Sequence, residues 1–486
     1  MSVLREQISI LEKLAKQLEP GTETRRQWVG QVQEYTEQFL EGISDRKAYN
    51  KEGDHERIDH ISFEPDGKSM EVLLEILAES LDKPGINPAS GGHIGYIPGG
   101  GVYPAALGDF MADVTNRYAG VYFANPGAVR MENKLIRWMA QLMGYPDDAH
   151  GNLASGGSIA NLIGITTARD AKGITSAVVP KAVIYVNPQT HHCIHKAVRI
   201  AGMGESILRE VPLDERFRMR PEALRQMVAE DVAAGLHPFL VVASLGSTDT
   251  GAVDPMDKIA DVAEEFDLWF QIDAAYGGFF ILVDELKDKF KGVERSDSFI
   301  IDPHKGMFLP YGIGVIIVKD TAQLHKSHNY QANYMQDALE NAQELSPADL
   351  SPELTKHFRG LRMWLPMQLF GLEPFKAALT EKHMLTKYFY NRIQELNFAV
   401  GPEPELSVAI YRYSGDDIDD NIFNKALTKA VQDDGRIFIS STMIDGVFWI
   451  RLAVLCFRTH LREVDLLLEI LERKRDELLL SFKQER

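Results

Sequence analysis

Two stretches decide how this chain is read: Leu268-Trp269-Phe270-Gln271-Ile272-Asp273-Ala274-Ala275-Tyr276-Gly277 and Ser298-Phe299-Ile300-Ile301-Asp302-Pro303-His304-Lys305-Gly306-Met307. Each is a short run rich in aromatic and β-branched residues that stops at small or turn-forming ones, the pattern of a buried strand. Each also ends on ionisable chemistry. A carboxylate at the end of a buried strand is costly unless it is paired, so Asp273 needs a partner. The plainer readings are a strand-end residue capping a turn for Asp273 and a solvated loop lysine for Lys305.

Working outward, further runs of strand length are Ala182–Val186, Phe239–Ser244 and Val315–Val318, alongside Trp269–Ile272 and Ser298–Ile301. Helical patterns fall between them, as in Ile159–Asp170 and Met256–Phe266. Strands alternating with helices predict an α/β fold with a mostly parallel central sheet, in which ligands collect at the carboxyl ends of the strands. Asp273, Lys305, His191 and Thr248 all follow predicted strands. Upstream, Leu4, Ile8, Leu11, Ala15 and Leu18 make one helical stripe, broken by Pro20-Gly21, and Trp28, Val32, Tyr35 and Phe39 make another. These helices have no sheet of their own, so their apolar faces need the rest of the chain or a second subunit. From Asp320 to about Pro352 the chain turns polar and predicts a long excursion. Helix signals return over Leu354–Phe370 and close with Leu461–Leu480.

Composition narrows the class. The chain has 486 residues, 45% apolar and 25% charged, with a formal charge of −18. That suits a soluble protein with a large core and argues against nucleic acid or an anionic membrane as partner. No apolar run reaches the roughly 18 residues of a membrane span. Two cysteines, Cys193 and Cys456, make no disulfide framework, and with no apolar signal core at the start the expected location is the cytoplasm.

A free lysine amine and an aspartate at a strand end are the two groups that pyridoxal 5′-phosphate requires. The lysine takes the cofactor aldehyde, and the aspartate keeps the pyridine nitrogen protonated so that the ring accepts electrons. The phosphate needs an anchor, and Ser155-Gly156-Gly157-Ser158 opening a helix supplies backbone N–H groups and a helix N-terminus; the ordinary alternative is a Ser/Gly cap. His191-His192-Cys193-Ile194-His195 offers an imidazole to lie on a ring and move protons. Its rival reading is metal, because His191 and His195 sit at i, i+4. No distant Cys or His cluster completes a tetrahedral set, so no metal is expected. Ser244–Gly251 carries hydroxyls suited to a bound ring or phosphate, or simply to a turn.

These residues resemble a family: the group II pyridoxal-phosphate-dependent amino acid decarboxylases, which include aromatic amino acid and glutamate decarboxylases. The matching runs, in the family's order, are Gly156-Gly157-Ser158-Ile159-Ala160-Asn161, Gln189-Thr190-His191, Leu245 to Gly251, Ile272-Asp273-Ala274-Ala275-Tyr276 and Asp302-Pro303-His304-Lys305. The resemblance runs from about His93 to Gly371, and more weakly through Ser441–Val454. It implies an aminotransferase-like fold (fold type I) with an N-terminal helical dimerisation segment over 1–90, a large cofactor domain over 91–375 and a small C-terminal α/β domain over 376–486. It implies a homodimer that removes CO₂ from an L-amino acid to leave the amine.

By position, the resemblance implies that Lys305 holds the cofactor, that His304 lies by the phosphate, and that Gly157 and Ser158 bind it. It implies that His191 stacks on the ring, Asp273 pairs with the ring nitrogen, and Thr248 and Ala275 line it. Tyr334, with Tyr330 as competitor, falls where the family carries a loop tyrosine that returns a proton to the substrate carbon; a phenylalanine there is associated with aldehyde formation. Tyr96 and Ile97 are expected near the substrate. The chain departs from the family at Gly306, where a bulky residue is common, and over His93–Gly101, which has more glycine and fewer aromatic rings. Other pyridoxal-phosphate reactions (carbon–carbon lyase, aldehyde synthase, aminotransferase) and a non-catalytic ligand- or metal-binding protein built on His191–His195 are the competing readings.

Overall fold

The computed structural model describes residues 2–63, 66–329, 344–416 and 418–484. The apolar runs form one sheet: β1 (His150–Ala154), β2 (Ala182–Val186), β3 (Ile207–Glu210), β4 (His237–Ser244), β5 (Trp269–Asp273), β6 (Ser298–Ile301) and β7 (Gly314–Val318). Their order is β1-β7-β6-β5-β4-β2-β3. Neighbours from β3 through β6 are parallel, and β7 runs against both β6 and β1. The expected strand limits hold to within a residue or two. β1 and β3 were not expected. β1 reads His-Gly-Asn-Leu-Ala, too polar for the apolar-run signal, and it is stable inside because Asn152 Nδ2 donates to the Pro347 carbonyl at 2.7 Å.

Side chains alternate across the sheet. Val183, Tyr185, Val241 and Ala243 enter one buried cluster with Leu135, Met139 and Phe270. Ile184, Val186, Leu240 and Val242 enter another, with Ile163 and Ile165 of the helix Gly157–Ala171. Both faces are covered, so these strands read as near-continuous apolar runs rather than as alternating ones.

A second body is built on an antiparallel sheet of Phe398–Val400, Val408–Tyr413, Val447–Ala453 and Ser440–Ile444, in that spatial order. It has its own core around Phe389, Tyr411, Phe423, Leu452 and Leu467. The boundary expected at 375/376 falls inside the helix Glu373–Glu395. The segment 92–95, expected in the large domain, is hydrogen-bonded into this second body. Ile94 N–H donates to Phe438 and the Ala453 N–H to Ile94, both at 2.9 Å. The Ser440 hydroxyl donates to the Gly95 carbonyl at 2.9 Å.

The helix expected over Leu354–Phe370 begins only at Gly360. The residues before it are tied by side chains: Lys356 Nζ lies 2.7 Å from Glu132, both fully buried, and Arg359 pairs with Glu353 at 3.0 Å. The N-terminal helix Ser2–Ala15 leaves its stripe uncovered by the chain, with Leu4 61%, Ile8 55% and Leu11 64% exposed, whereas the stripe of Thr22–Glu41 is partly covered at Tyr35 and Phe39. No helix among the described residues is long and apolar enough to cross a membrane.

Candidate active site

Strand register brings the ionisable turns to one edge. Ser244 on β4 lies opposite Asp273 on β5, Asp273 lies opposite Ile300 on β6, and Ala154 on β1 lies opposite Gly314 on β7. Past this line run the turns that follow β1, β2, β4, β5 and β6. They enclose a cleft of about 270 Å³ whose lining includes Ser158, His191, Thr248, Asp273, His304 and Lys305.

The turn after β1 is close-packed. A Cβ on Gly157 would sit 2.9 Å from Asp302 Oδ2, and one on Gly314 would sit 2.5 Å from Asp302 Oδ1 and from the Gly156 carbonyl carbon. Only glycines let the helix N-terminus at Gly157 come this near the turn that carries Lys305. Ser155 and Ser158 stand at the exposed mouth.

Lys305 sits in the short helix Pro303–Gly306, its Nζ 3.1 Å from Asp302 Oδ2. Burial opposes the ammonium charge, but the carboxylates of Asp302 and Asp273 outweigh it and hold the amine above its ordinary range. Asp273 is pushed up by burial, against the pull of Lys305 and the Ala275 N–H. Its carboxylate accepts from the Ala275 N–H at 3.1 Å and from Asn161 Nδ2 at 3.2 Å. Behind Asn161 runs a relay of buried donors: Gln271 Nε2 to Asn161 at 2.9 Å, the Ser298 hydroxyl to Gln271 at 3.3 Å and Trp269 Nε1 to Ser298 at 3.0 Å. These polar groups in β5 and β6 fix the aspartate's orientation. Asn161 belongs to the run Gly156–Asn161 but is not among the site residues expected from the sequence. Its signal was spacing, one helical turn after Gly157 on the same face.

His191 lines the cleft with its Nδ1 accepting from the Cys193 N–H at 3.3 Å, which leaves the ring proton on Nε2. Burial, with the charges of His192 and Lys305, lowers its pKa to about 4, so the ring is neutral at physiological pH. His192 packs against it with ring centroids 4.1 Å apart. His192 and His195 are exposed and outside the cleft lining, so the five-residue cluster is split. Among the described residues no group of three or more His, Cys, Asp or Glu side chains is placed to hold a metal. His304 Nδ1 bonds to the Ile313 carbonyl, and burial lowers its pKa.

Thr248 and Ala275 also line the cleft. The Thr248 carbonyl accepts from Arg451, a buried residue of the second body that also bonds the Asp249 carbonyl at 2.9 Å. Gln189, which lines the cleft, accepts from the Ser247 and Thr250 hydroxyls at 2.9 and 2.6 Å. Tyr96 and Ile97 are not brought in. Ile97 has φ of 57°, a strained value for a β-branched residue, and its side chain is buried in the core. Tyr96 is 60% exposed and packs against His93 and Phe438. Gly99 follows them, so close to the lysine turn that a Cβ would lie 2.3 Å from the His304 carbonyl. Tyr334 and Tyr330 lie outside the described residues.

The residues fit pyridoxal phosphate. A reactive amine lies between an oriented carboxylate and a glycine-lined helix N-terminus, with a neutral imidazole at the side. The comparisons agree. The pyridoxal-dependent decarboxylase conserved domain matches residues 64–414. An aromatic-L-amino-acid decarboxylase of Bacillus atrophaeus is 29% identical over 439 residues, 84% of this chain and 90% of that protein. A phenylacetaldehyde synthase of Petunia hybrida is 27% identical over 381 residues, 74% of this chain and 75% of that protein. In structure, the Oryza sativa TDC with PLP and tryptamine superposes with a TM-score of 0.89 at 23% identity, covering 95% of this chain and 99% of that one.

Proposed function

The chain belongs to the pyridoxal-dependent decarboxylase family, and from that premise we propose how its own residues run the reaction. It is a pyridoxal-phosphate-dependent amino acid decarboxylase on an aminotransferase-like fold. The observation that carries the site assignment is the convergence of Lys305, Asp273 and the Gly156-Gly157 turn on one cleft. When bound, the cofactor supplies a conjugated ring that accepts the electron pair left as CO₂ departs. Asp273, held by Asn161 and the Ala275 N–H, keeps a proton at the ring nitrogen. The N-terminus of the helix Gly157–Ala171, with Ser158 and His304 near it, binds the phosphate. Lys305 would hold the cofactor through its aldehyde, and its free amine would keep a proton beside Asp302. His191, neutral with its ring proton on Nε2, would stack against the cofactor ring. Thr248 and Ala275 shape the remaining wall, and Tyr334 is the proposed donor to the substrate carbon.

The test is a panel of amino acids incubated with the holoenzyme, with CO₂ and amine both measured. Because the similar proteins include one named for aromatic amino acids, tyrosine, tryptophan and phenylalanine head the panel. Lys305→Ala should lose both the visible absorbance of bound cofactor and the release of CO₂; retained turnover would refute the assignment. Similarity to an aldehyde synthase favours one second reading, which aldehyde in place of amine would establish.

We propose further that the chain works as a cytoplasmic homodimer. Support comes from the uncovered stripe of Leu4, Ile8 and Leu11 and from exposed Phe110, Val114 and Tyr96. In this reading 1–90 is the dimer-forming segment, and Tyr96 and Ile97 lie near the substrate at the subunit boundary. Sedimentation at one protomer mass would remove it.

A further inference from the structure

Asp302 enters the roles above only as the partner of Lys305, yet its carboxylate is tightly enclosed in the wall of the cleft. It is 1% exposed, and its Oδ1 has no hydrogen-bond partner. Oδ2 meets Lys305 Nζ at 3.1 Å and His304 Nε2 at 3.7 Å. The carboxylate is wedged between two glycines, within 2.9 Å of where a Gly157 Cβ would lie and 2.5 Å of where a Gly314 Cβ would lie. Gly157 is the first residue of the helix whose N-terminus faces the cleft. A buried anion therefore sits against the place that, on the reading above, takes the cofactor phosphate.

Its one strong partner is the Lys305 ammonium. Cofactor binding changes that pairing: the Lys305 ammonium gives up a proton, its nitrogen adds to the aldehyde carbon and the aldehyde oxygen leaves as water, just as a phosphate carrying nearly two negative charges at neutral pH arrives beside the carboxylate. In a desolvated site like charges oppose each other strongly. We propose that Asp302 limits cofactor affinity: it pairs Lys305 in the cofactor-free protein and opposes the phosphate in the loaded one, so that pyridoxal phosphate remains exchangeable. This rests on the assignment of the cleft as the cofactor site.

The experiment compares two probes, pyridoxal phosphate and pyridoxal, which share the aldehyde and ring and differ in the phosphate. Each is titrated into cofactor-free wild type, Asp302→Asn and Asp302→Ser, followed by visible absorbance, with circular dichroism confirming the fold. Both variants should raise the preference for pyridoxal phosphate over pyridoxal by about tenfold or more, the scale of effect a close like charge exerts. Serine removes the charge without adding an amide donor. A preference that is unchanged or reduced in the variants overturns the proposal, as does a gain in Asp302→Asn alone. Failure of the underlying site assignment looks different: folded wild type and Lys305→Ala would then give the same spectrum with pyridoxal phosphate.

Discussion

Asn161 shows how much of this site depends on residues that need never touch a substrate. It accepts from Gln271 and donates to Asp273, so one amide joins the β5–β6 polar relay to the carboxylate proposed for the ring nitrogen. Asn161→Ala leaves both neighbours short of a partner in a buried setting, a loss of about 1–3 kcal/mol. Urea denaturation should show that loss, and cofactor titration should show weaker binding in the same variant. The reactive groups themselves were legible in the sequence: Asp273, Lys305, His191, Thr248 and the Gly157-Ser158 turn all line the cleft. The side-chain orientation was not. Tyr96 and Ile97, expected near the substrate, lie outside the cleft lining of the single chain, where the left-handed backbone at Ile97 turns its side chain into the core. Linear neighbours carry no signal for such a turn.

Among elements, strands buried on both faces were legible because apolar runs of strand length have few other uses. β1 escaped because its stability comes from tertiary partners of its polar side chains. The link 344–360, read as part of a polar excursion and then as helix, is fixed by distant side chains. Lys356 reaches Glu132 at 2.7 Å and the Asn152 side chain at 3.0 Å, and the Gly360 N–H donates to Glu132 at 3.1 Å. Lys356→Met strands a fully buried carboxylate and should cost about 3–5 kcal/mol. Pairing it with Glu132→Leu should recover most of that, and a double-mutant cycle by chemical denaturation measures the difference. Gly314→Ala should cost about 1–3 kcal/mol by overpacking, because its Cβ meets both Asp302 and the Gly156 backbone.

For the whole molecule, acid should be a selective stress. His93, His150 and His191, in the domain link, β1 and the cleft, each have a pKa lowered from 6.5 to about 4, burial being the largest cause. An unfolded chain takes up these protons near pH 6.5 while the folded one refuses them. Stability should therefore fall as pH drops from about 6.5 towards 4. Asp254, raised to about 6 by burial, works in the opposite sense, as do Asp273, Asp297 and Asp349, which burial also raises, while His304, His328 and His383 are lowered by burial and add to the acid sensitivity. Melting curves at pH 7, 5.5 and 4.5 should show a stepwise fall; a flat response would contradict the assignment of neutral buried imidazoles.

The segment 92–95 sets a timetable for biosynthesis. Its partners in the second body are Phe438, Ser440 and Ala453, the Gly95–Ser440 bond joining residues 345 apart. A chain leaving the ribosome from its N-terminus makes these early residues long before anything exists for them to pair with. Contacts of such long range are slow to form, and open edges invite aggregation while they wait. The second body therefore cannot mature as an independent late unit, and nascent chains halted before residue 438 carry a segment with unmet backbone partners that a chaperone is suited to cover.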